Sequence, residues 1–281
     1  MKYYINLNIL ILASLFSFYR IGSASEVSIE LTPETVFPGD AFVVEVKSDS
    51  IPSGEIGGLP LHFHPLSHGL YRAIFSTDVE TKPGKYVIRL TVGEKSVEHP
   101  FSVHEKQFPV TRLTLSSEKV FLSPEDQARV EQEDKMLSGL WNKTTEPMWK
   151  GKFVSPLSTS ISSPFGVIRL INQKVDSRHK GTDYRSPAGQ PVRAINSGLV
   201  VLAEELFYGG NTVMVNHGGG IFSIYMHLSE FKIKMGERVS KNDVVGLVGS
   251  TGRATGPHLH LSVKIAGRSA SPESLIALPL D

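Results

Sequence analysis

Residues 212–227 read Thr212-Val213-Met214-Val215-Asn216-His217-Gly218-Gly219-Gly220-Ile221-Phe222-Ser223-Ile224-Tyr225-Met226-His227. Two runs rich in β-branched and aromatic residues flank three successive glycines, the pattern of two antiparallel strands joined by a tight turn. His217 is expected to serve that turn. Gly198-Leu199-Val200-Val201-Leu202 precedes the pair, and Val244-Val245-Gly246-Leu247-Val248-Gly249 and His258-Leu259-His260-Leu261-Ser262-Val263 follow it. From Trp149 onward this predicts an antiparallel sheet domain with little helix. The runs Gly218–Gly220 and Gly246 to Gly256 lack the Lys-Ser/Thr pair and the following helix of a phosphate loop, so they read as β-turns.

Upstream the same vocabulary recurs. Val27-Ser28-Ile29-Glu30-Leu31, Phe42-Val43-Val44-Glu45-Val46 and Tyr86-Val87-Ile88-Arg89-Leu90 are strand-like, separated by the turn signals Pro38-Gly39-Asp40 and Lys82-Pro83-Gly84-Lys85. Several short strands at this spacing predict an immunoglobulin-like β-sandwich over residues 25–108. Ser123-Pro124-Glu125-Asp126 then combines an N-cap, a proline at the first helical position and acidic residues in the first turn. A helix to about Trp141 is expected within a linker, 109–150, that packs on one of its neighbours. The fold class is thus mainly β: an N-terminal immunoglobulin-like sandwich, a helical linker and a C-terminal antiparallel sheet domain at 151–281.

The first residues suggest export. A polar start at Lys2 leads into an apolar run from Leu7 to Tyr19 and then Gly22-Ser23-Ala24. That run suits a signal peptide and is too short for an untilted bilayer span. Residues 1–24 are therefore expected to be removed, leaving a periplasmic or secreted chain with no stable membrane span. A formal net charge of +1 gives no electrostatic case for nucleic acid. With no cysteine, disulfides, a thiol nucleophile and thiolate metal sites are excluded, so any metal must be held by carboxylates and some of the ten histidines.

Three histidine-bearing segments of the C-terminal half fit that requirement. In His179-Lys180-Gly181-Thr182-Asp183, glycine and threonine beside Tyr184 and Pro187 argue against a helix. Fully extended, the two ends would lie about 13 Å apart. The segment must bend, and Gly181 is where it can. In His258-Leu259-His260 the imidazoles share one face about 7 Å apart, which suits one on a metal and one facing substrate. A set of His179, Asp183 and His260 leaves a fourth tetrahedral position for water, and His258 and His227 are then free for proton transfer and oxyanion stabilisation.

These segments resemble the lysostaphin-like (LytM-type) zinc endopeptidases, which are peptidoglycan hydrolases. That family shares an H-x-x-x-D motif, a Tyr-x-His-Leu strand and a late His-x-His, here His179…Asp183, Tyr225-Met226-His227-Leu228 and Gly256-Pro257-His258-Leu259-His260. The likeness covers about Ser155 to Pro272, including Ser162-Ser163-Pro164-Phe165-Gly166 and Pro187-Ala188-Gly189…Pro191-Val192. It implies Zn2+ held by His179, Asp183 and His260, with His258 and His227 catalytic in either order of roles. It implies a peptidoglycan peptide as substrate, and a site walled by loops including Glu204 to Gly210. No position of the set is substituted, which weighs against the alternative of a non-catalytic activator of a wall amidase. His62-Phe63-His64, with His68 nearby, lacks an H-x-x-x-D partner and is expected to be surface or loop histidine without metal.

Overall fold

The structure is a computed structural model that describes residues 27–113, 122–141, 144–171 and 175–280. The expected signal peptide, 1–24, lies outside the described residues. The fold is mainly β. Residues from Ser28 to Val103 form two four-stranded sheets. One runs in the order Ser28–Thr32, Ala41–Lys47, Leu70–Ser76, His64–Ser67; the other Leu59–Pro60, Ser53–Ile56, Gly84–Val92, Lys95–Val103. Phe42, Val44, Val46, Phe75, Ile88 and Phe101, drawn from both sheets, meet in one buried core, so the unit is a β-sandwich.

Ala41–Lys47 explains its own near-continuous apolar sequence. Phe42 and Val44 face the sandwich core, whereas Ala41 and Val43, on the other side of the pleat, join the C-terminal core with Ile74. The sandwich is therefore packed against the second sheet, and polar contacts reinforce the joint. The backbone N–H of Ala41 donates to Ser274 Oγ at 2.8 Å, and that of Ser271 to the Gly39 carbonyl at 2.7 Å.

The C-terminal sheet has ten strands. Its main path runs Ile161–Ser163, Thr182–Arg185, His258–Ile265, Ile221–Phe231, Gly210–Gly218, Gly198–Leu206, Arg238–Val239; Val244–Val248 branches from Ile221–Phe231 and pairs in turn with Pro191–Arg193, and Arg268–Ala270 branches from His258–Ile265. Gly210–Gly218 and Ile221–Phe231 are the strand pair expected from residues 212–227. One face of the sheet carries Val213, Val215, Tyr225, Leu261 and Val263 into the main core, which also takes Trp149 and Phe153. The other face carries Met214, Phe222 and Ile224.

That second face is covered by the helix Pro124–Trp141. Ser123 caps it, its Oγ accepting from the Asp126 N–H at 3.1 Å. Leu137, Leu140 and Trp141 pack on the sheet, Trp141 edge-on to Phe222 at 5.3 Å. Glu133 accepts from the Phe207 N–H at 2.9 Å, tying the helix to the next hairpin. The helix covers the Phe222 end of this face and leaves the His260 end uncovered by it. One element was not foreseen. Val110–Leu113, within the stretch read only as a helical linker, pairs in parallel with Ile168–Ile171. Among the described residues no helix is long and apolar enough to cross a membrane.

Candidate metal centre

Strand pairing brings the site together. Thr182–Arg185 lies antiparallel to His258–Ile265, with Asp183 opposite His260 and Arg185 opposite His258. Paired residues share a face, and alternation puts His258 on the face of His260. His179 follows the strand Val175–Arg178 and is pinned by its backbone, its N–H donating to Val167 O at 2.9 Å. Gly181 does lie at a bend, but not in the left-handed region. A Cβ there would strike the His260 ring, so glycine is needed for close approach rather than for its φ.

His227 reaches the site through a distortion. Met226 stands opposite His260, so in a regular strand His227 would turn with Tyr225 into the core. The ladder with Gly210–Gly218 instead shifts register between Asn211 and Val213, leaving an extra residue on the His227 strand, and His227 has φ 64°. A bulge of this kind re-aims a side chain, and a non-glycine residue held there costs about 1–3 kcal/mol. The His227 ring sits 4.7 Å from that of His258 and 6.1 Å from that of His260.

Three donor atoms converge. His179 Nε2 lies 3.0 Å from both Asp183 Oδ1 and His260 Nδ1, and His260 Nδ1 lies 2.7 Å from the same oxygen. Tautomers decide what this triangle means. His179 Nδ1 donates to the Pro164 carbonyl at 3.0 Å, so its neutral ring has a bare Nε2. Ser262 Oγ donates to Lys180 O and accepts from His260 Nε2, each at 2.9 Å, so His260 has a bare Nδ1. Three lone pairs therefore face one another without a proton between them, an arrangement that a cation relieves.

The size fits as well. Ligands about 2.0–2.1 Å from a tetrahedral zinc stand roughly 3.3 Å apart, so these edges of 2.7–3.0 Å need to open by only about 0.3–0.6 Å. His179, Asp183 and His260 are also the group identified among the described residues as able to hold an ion. Burial pushes the Asp183 carboxyl up, but with protons on the facing nitrogens of His179 and His260 their hydrogen bonds and charge would outweigh it and hold the pKa well below the usual carboxylate range. With those nitrogens bare, a cation among them acts in the same direction, so the group is an anion either way.

The two further histidines have matching tautomers. His258 Nδ1 donates to Gly256 O and His227 Nδ1 to Thr251 O, each at 2.9 Å, which leaves both Nε2 atoms bare when neutral. His258 Nε2 is 3.9 Å from Asp183 Oδ1. Burial pulls His227 down to about 4, so it is neutral near pH 7. Asp183, His227, His258 and His260 thus line one cleft of about 790 Å³, and His179 is buried against Asp183 and His260.

Sequence reasoning missed the supporting groups. Arg169 reaches Asp183 Oδ2 at 3.5 Å, and Ser163 Oγ lies 3.2 Å from His179 Nδ1. Ser163 stands inside the quoted Ser-Ser-Pro-Phe-Gly opening; nothing in the local pattern marks Arg169. The 204–210 stretch is a strand end and hairpin that supports Arg253, a residue of the cleft wall, by ring stacking from Phe207 and Tyr208. His217 is not a turn residue. It is fully buried in Gly210–Gly218, bonded to Ser197 O and Ser223 Oγ at 2.8 Å each. His62 and His64 are half-buried where the sandwich meets other elements, His64 edge-on to Trp149.

Residues 177–272 match Peptidase family M23. Over 132 residues the chain is 43% identical to DD-carboxypeptidase/endopeptidase Mpg of Neisseria meningitidis serogroup B, covering 46% of this chain and 30% of that protein. Over 110 residues it is 42% identical to peptidoglycan DD-endopeptidase ShyA of Vibrio cholerae serotype O1, covering 38% of this chain and 25% of that one. The chain thus spans less than a third of the length of these curated relatives. A solved structure from Pseudomonas aeruginosa, described as a candidate peptidase M23, matches 85% of this chain and 94% of its own with TM-score 0.70 and 29% identity. With the motif order, the strand register and these likenesses in agreement, residues 177–272 form a lysostaphin-like (LytM-type) peptidase domain of family M23.

Proposed function

We propose that this chain is a zinc-dependent endopeptidase that hydrolyses peptide bonds in peptidoglycan crosslinks or stem peptides, acting in the cell envelope. The observation that carries the reading is the convergence of three unprotonated donor atoms on one point beside two further imidazoles. The relatives named as peptidoglycan DD-endopeptidases support the substrate class. Residues 151–281 would be the catalytic domain, with 25–108 and 109–150 as sandwich and linker.

His179 Nε2, Asp183 Oδ1 and His260 Nδ1 would hold the ion. Bound zinc supplies polarisation of the scissile carbonyl and a water acidified towards about pH 7. Ser262 and the Pro164 carbonyl keep both ligating imidazoles in the required tautomer. His258, its Nδ1 fixed on Gly256, presents Nε2 to take a proton from water and pass it to the leaving amine. His227, neutral and with Nδ1 committed to Thr251, likewise starts as an acceptor. Stabilisation of an oxyanion by His227 therefore follows only after it has gained a proton.

Metal analysis together with digestion of defined crosslinked muropeptides, read by mass spectrometry, tests this. One zinc per chain and new peptide termini are expected. A metal-free protein that cuts nothing, while raising the activity of a wall amidase, would replace the enzyme with a regulator.

A further inference from the structure

We propose that Thr251 is a positioning residue for His227: its hydroxyl clamps the distorted strand pair that turns the imidazole into the cleft, and its carbonyl decides which ring nitrogen carries the proton. The effect on turnover rests on the endopeptidase reading; the clamp itself does not. His227 is held at φ 64°, where a non-glycine residue stays only if its surroundings over-determine it. Its own N–H donates to Gly209 O at 2.7 Å, on one side of the register shift between Asn211 and Val213. Thr251 secures the other side from a separate segment, 24 residues along the chain.

The Thr251 hydroxyl has one proton to give, and both of its roles are filled. Oγ1 donates to Leu228 O at 2.8 Å and accepts from the Asn211 N–H at 2.9 Å. Asn211 and Leu228 are partners across the ladder, and Leu228 directly follows His227, so the hydroxyl bridges the two strands at the bulge. The carbonyl of the same residue accepts from His227 Nδ1 at 2.9 Å. Burial keeps this imidazole neutral near pH 7, with one ring proton to place, and an acceptor at Nδ1 leaves Nε2 bare. Because hydroxyl and carbonyl belong to one residue, fixing the first against the strands fixes the second against the ring. Close backbone approach tightens the arrangement. A Cβ on Gly210 would strike the Thr251 carbonyl carbon, and one on Gly252 would strike the Gly210 nitrogen. The same segment reaches the neighbouring imidazole's strand, where the His258 N–H donates to Gly249 O at 3.2 Å.

The test uses the full chain loaded with zinc and carrying isotope-labelled histidine, compared with Thr251→Val and Thr251→Ser. Valine keeps the shape and the carbonyl but leaves the Asn211 N–H and the Leu228 carbonyl without the hydroxyl, whereas serine keeps it. Nitrogen NMR of the His227 ring, its signal identified by its loss in His227→Gln, reads the tautomer directly. The parent chain and Thr251→Ser should both carry the proton on Nδ1, and Thr251→Val should show a mixture of the two tautomers. In muropeptide digestion Thr251→Val should lose about 10- to 100-fold in kcat, with KM within about twofold and zinc content unchanged, while Thr251→Ser stays within about threefold of the parent. An unchanged tautomer or an unchanged kcat in a folded Thr251→Val would overturn the proposal. So would a Thr251→Ser that falls as far as the valine variant, because packing of the methyl group would then be what matters. Thr251→Ala, which sets no apolar branch against those two polar atoms, takes the place of Thr251→Val should the latter not fold; failure of both to fold would make Thr251 a residue of the fold alone and overturn the proposal too. If the parent chain cuts no peptide, the endopeptidase reading fails, and the tautomer comparison by itself decides the clamp.

Discussion

His62-Phe63-His64 and His258-Leu259-His260 are the same short motif placed in the two β units of one chain, and their surroundings differ in sign. Across the ladder from His64 stands Arg72, whose guanidinium is paired with Glu45 at 2.6 Å. Across from His260 stands Asp183. Burial and Arg72 both push the His64 imidazole towards neutrality, and its ring packs on Trp149. His62 Nε2 lies 3.3 Å from Thr144 Oγ1. An imidazole facing a cation has no reason to gather a second one. Only His258-Leu259-His260 has a neighbouring strand that supplies a carboxylate in register and nearby acceptors that fix the tautomers, which is what the proposed metal site requires.

The largest effect should come from removing that carboxylate. Asp183→Ala is expected to abolish stoichiometric zinc and hydrolysis together, whereas the double change His62→Ala, His64→Ala keeps one zinc per chain and full turnover; metal analysis beside a muropeptide assay reads both. His258→Ala should keep the metal and lower kcat by about 10²–10⁴-fold, the usual share of a general acid–base group. Ser262→Ala sharpens the comparison further, because it removes the group that holds His260 in the tautomer the proposed zinc site needs. Zinc affinity, titrated against a competing chelator, should fall about 10–100-fold.

The smaller effects concern stability. His217 is buried and lowered to about 4, so the unfolded chain, near 6.5, binds its proton more readily. This contribution is fully present above about pH 6.5 and is lost as pH falls towards 4, on the order of 3 kcal/mol in all. Denaturant melts across that range should show a shallower pH slope for His217→Gln. His64→Ala, which loses an edge-on contact with Trp149, should cost about 0.5–1.5 kcal/mol in the same melts without altering zinc content.

Much of this was legible because it is local. Ser123-Pro124-Glu125-Asp126 marks a helix start by its own chemistry, and the runs on either side of Gly218–Gly220 mark two strands and their turn. Asp183 and His260 were legible because glycine and alternation limit what their segments can do. Non-local features were not. Val110–Leu113 pairs with a strand far along the chain, and Arg169 meets Asp183 only because of that small sheet and its neighbours. His217 looked like a turn residue beside three glycines, but its polar partners, Ser197 just before the strand Gly198–Leu206 and Ser223 in the strand Ile221–Phe231, are not announced by the sequence. The bulge at His227 is similarly hidden: regular alternation would have buried the ring with Tyr225, and only the register shift turns it towards His258.

X-ray absorption at the zinc edge on the reconstituted full chain, repeated on Asp183→Ala, tests the central claim most directly. A single site per chain is expected, with two imidazole nitrogens and one carboxylate oxygen at about 2.0–2.2 Å and a further light-atom ligand, and it should be lost in the variant. Zinc that remains stoichiometric with an unchanged spectrum after Asp183→Ala would contradict the account, because the ion would then be held somewhere other than among His179, Asp183 and His260.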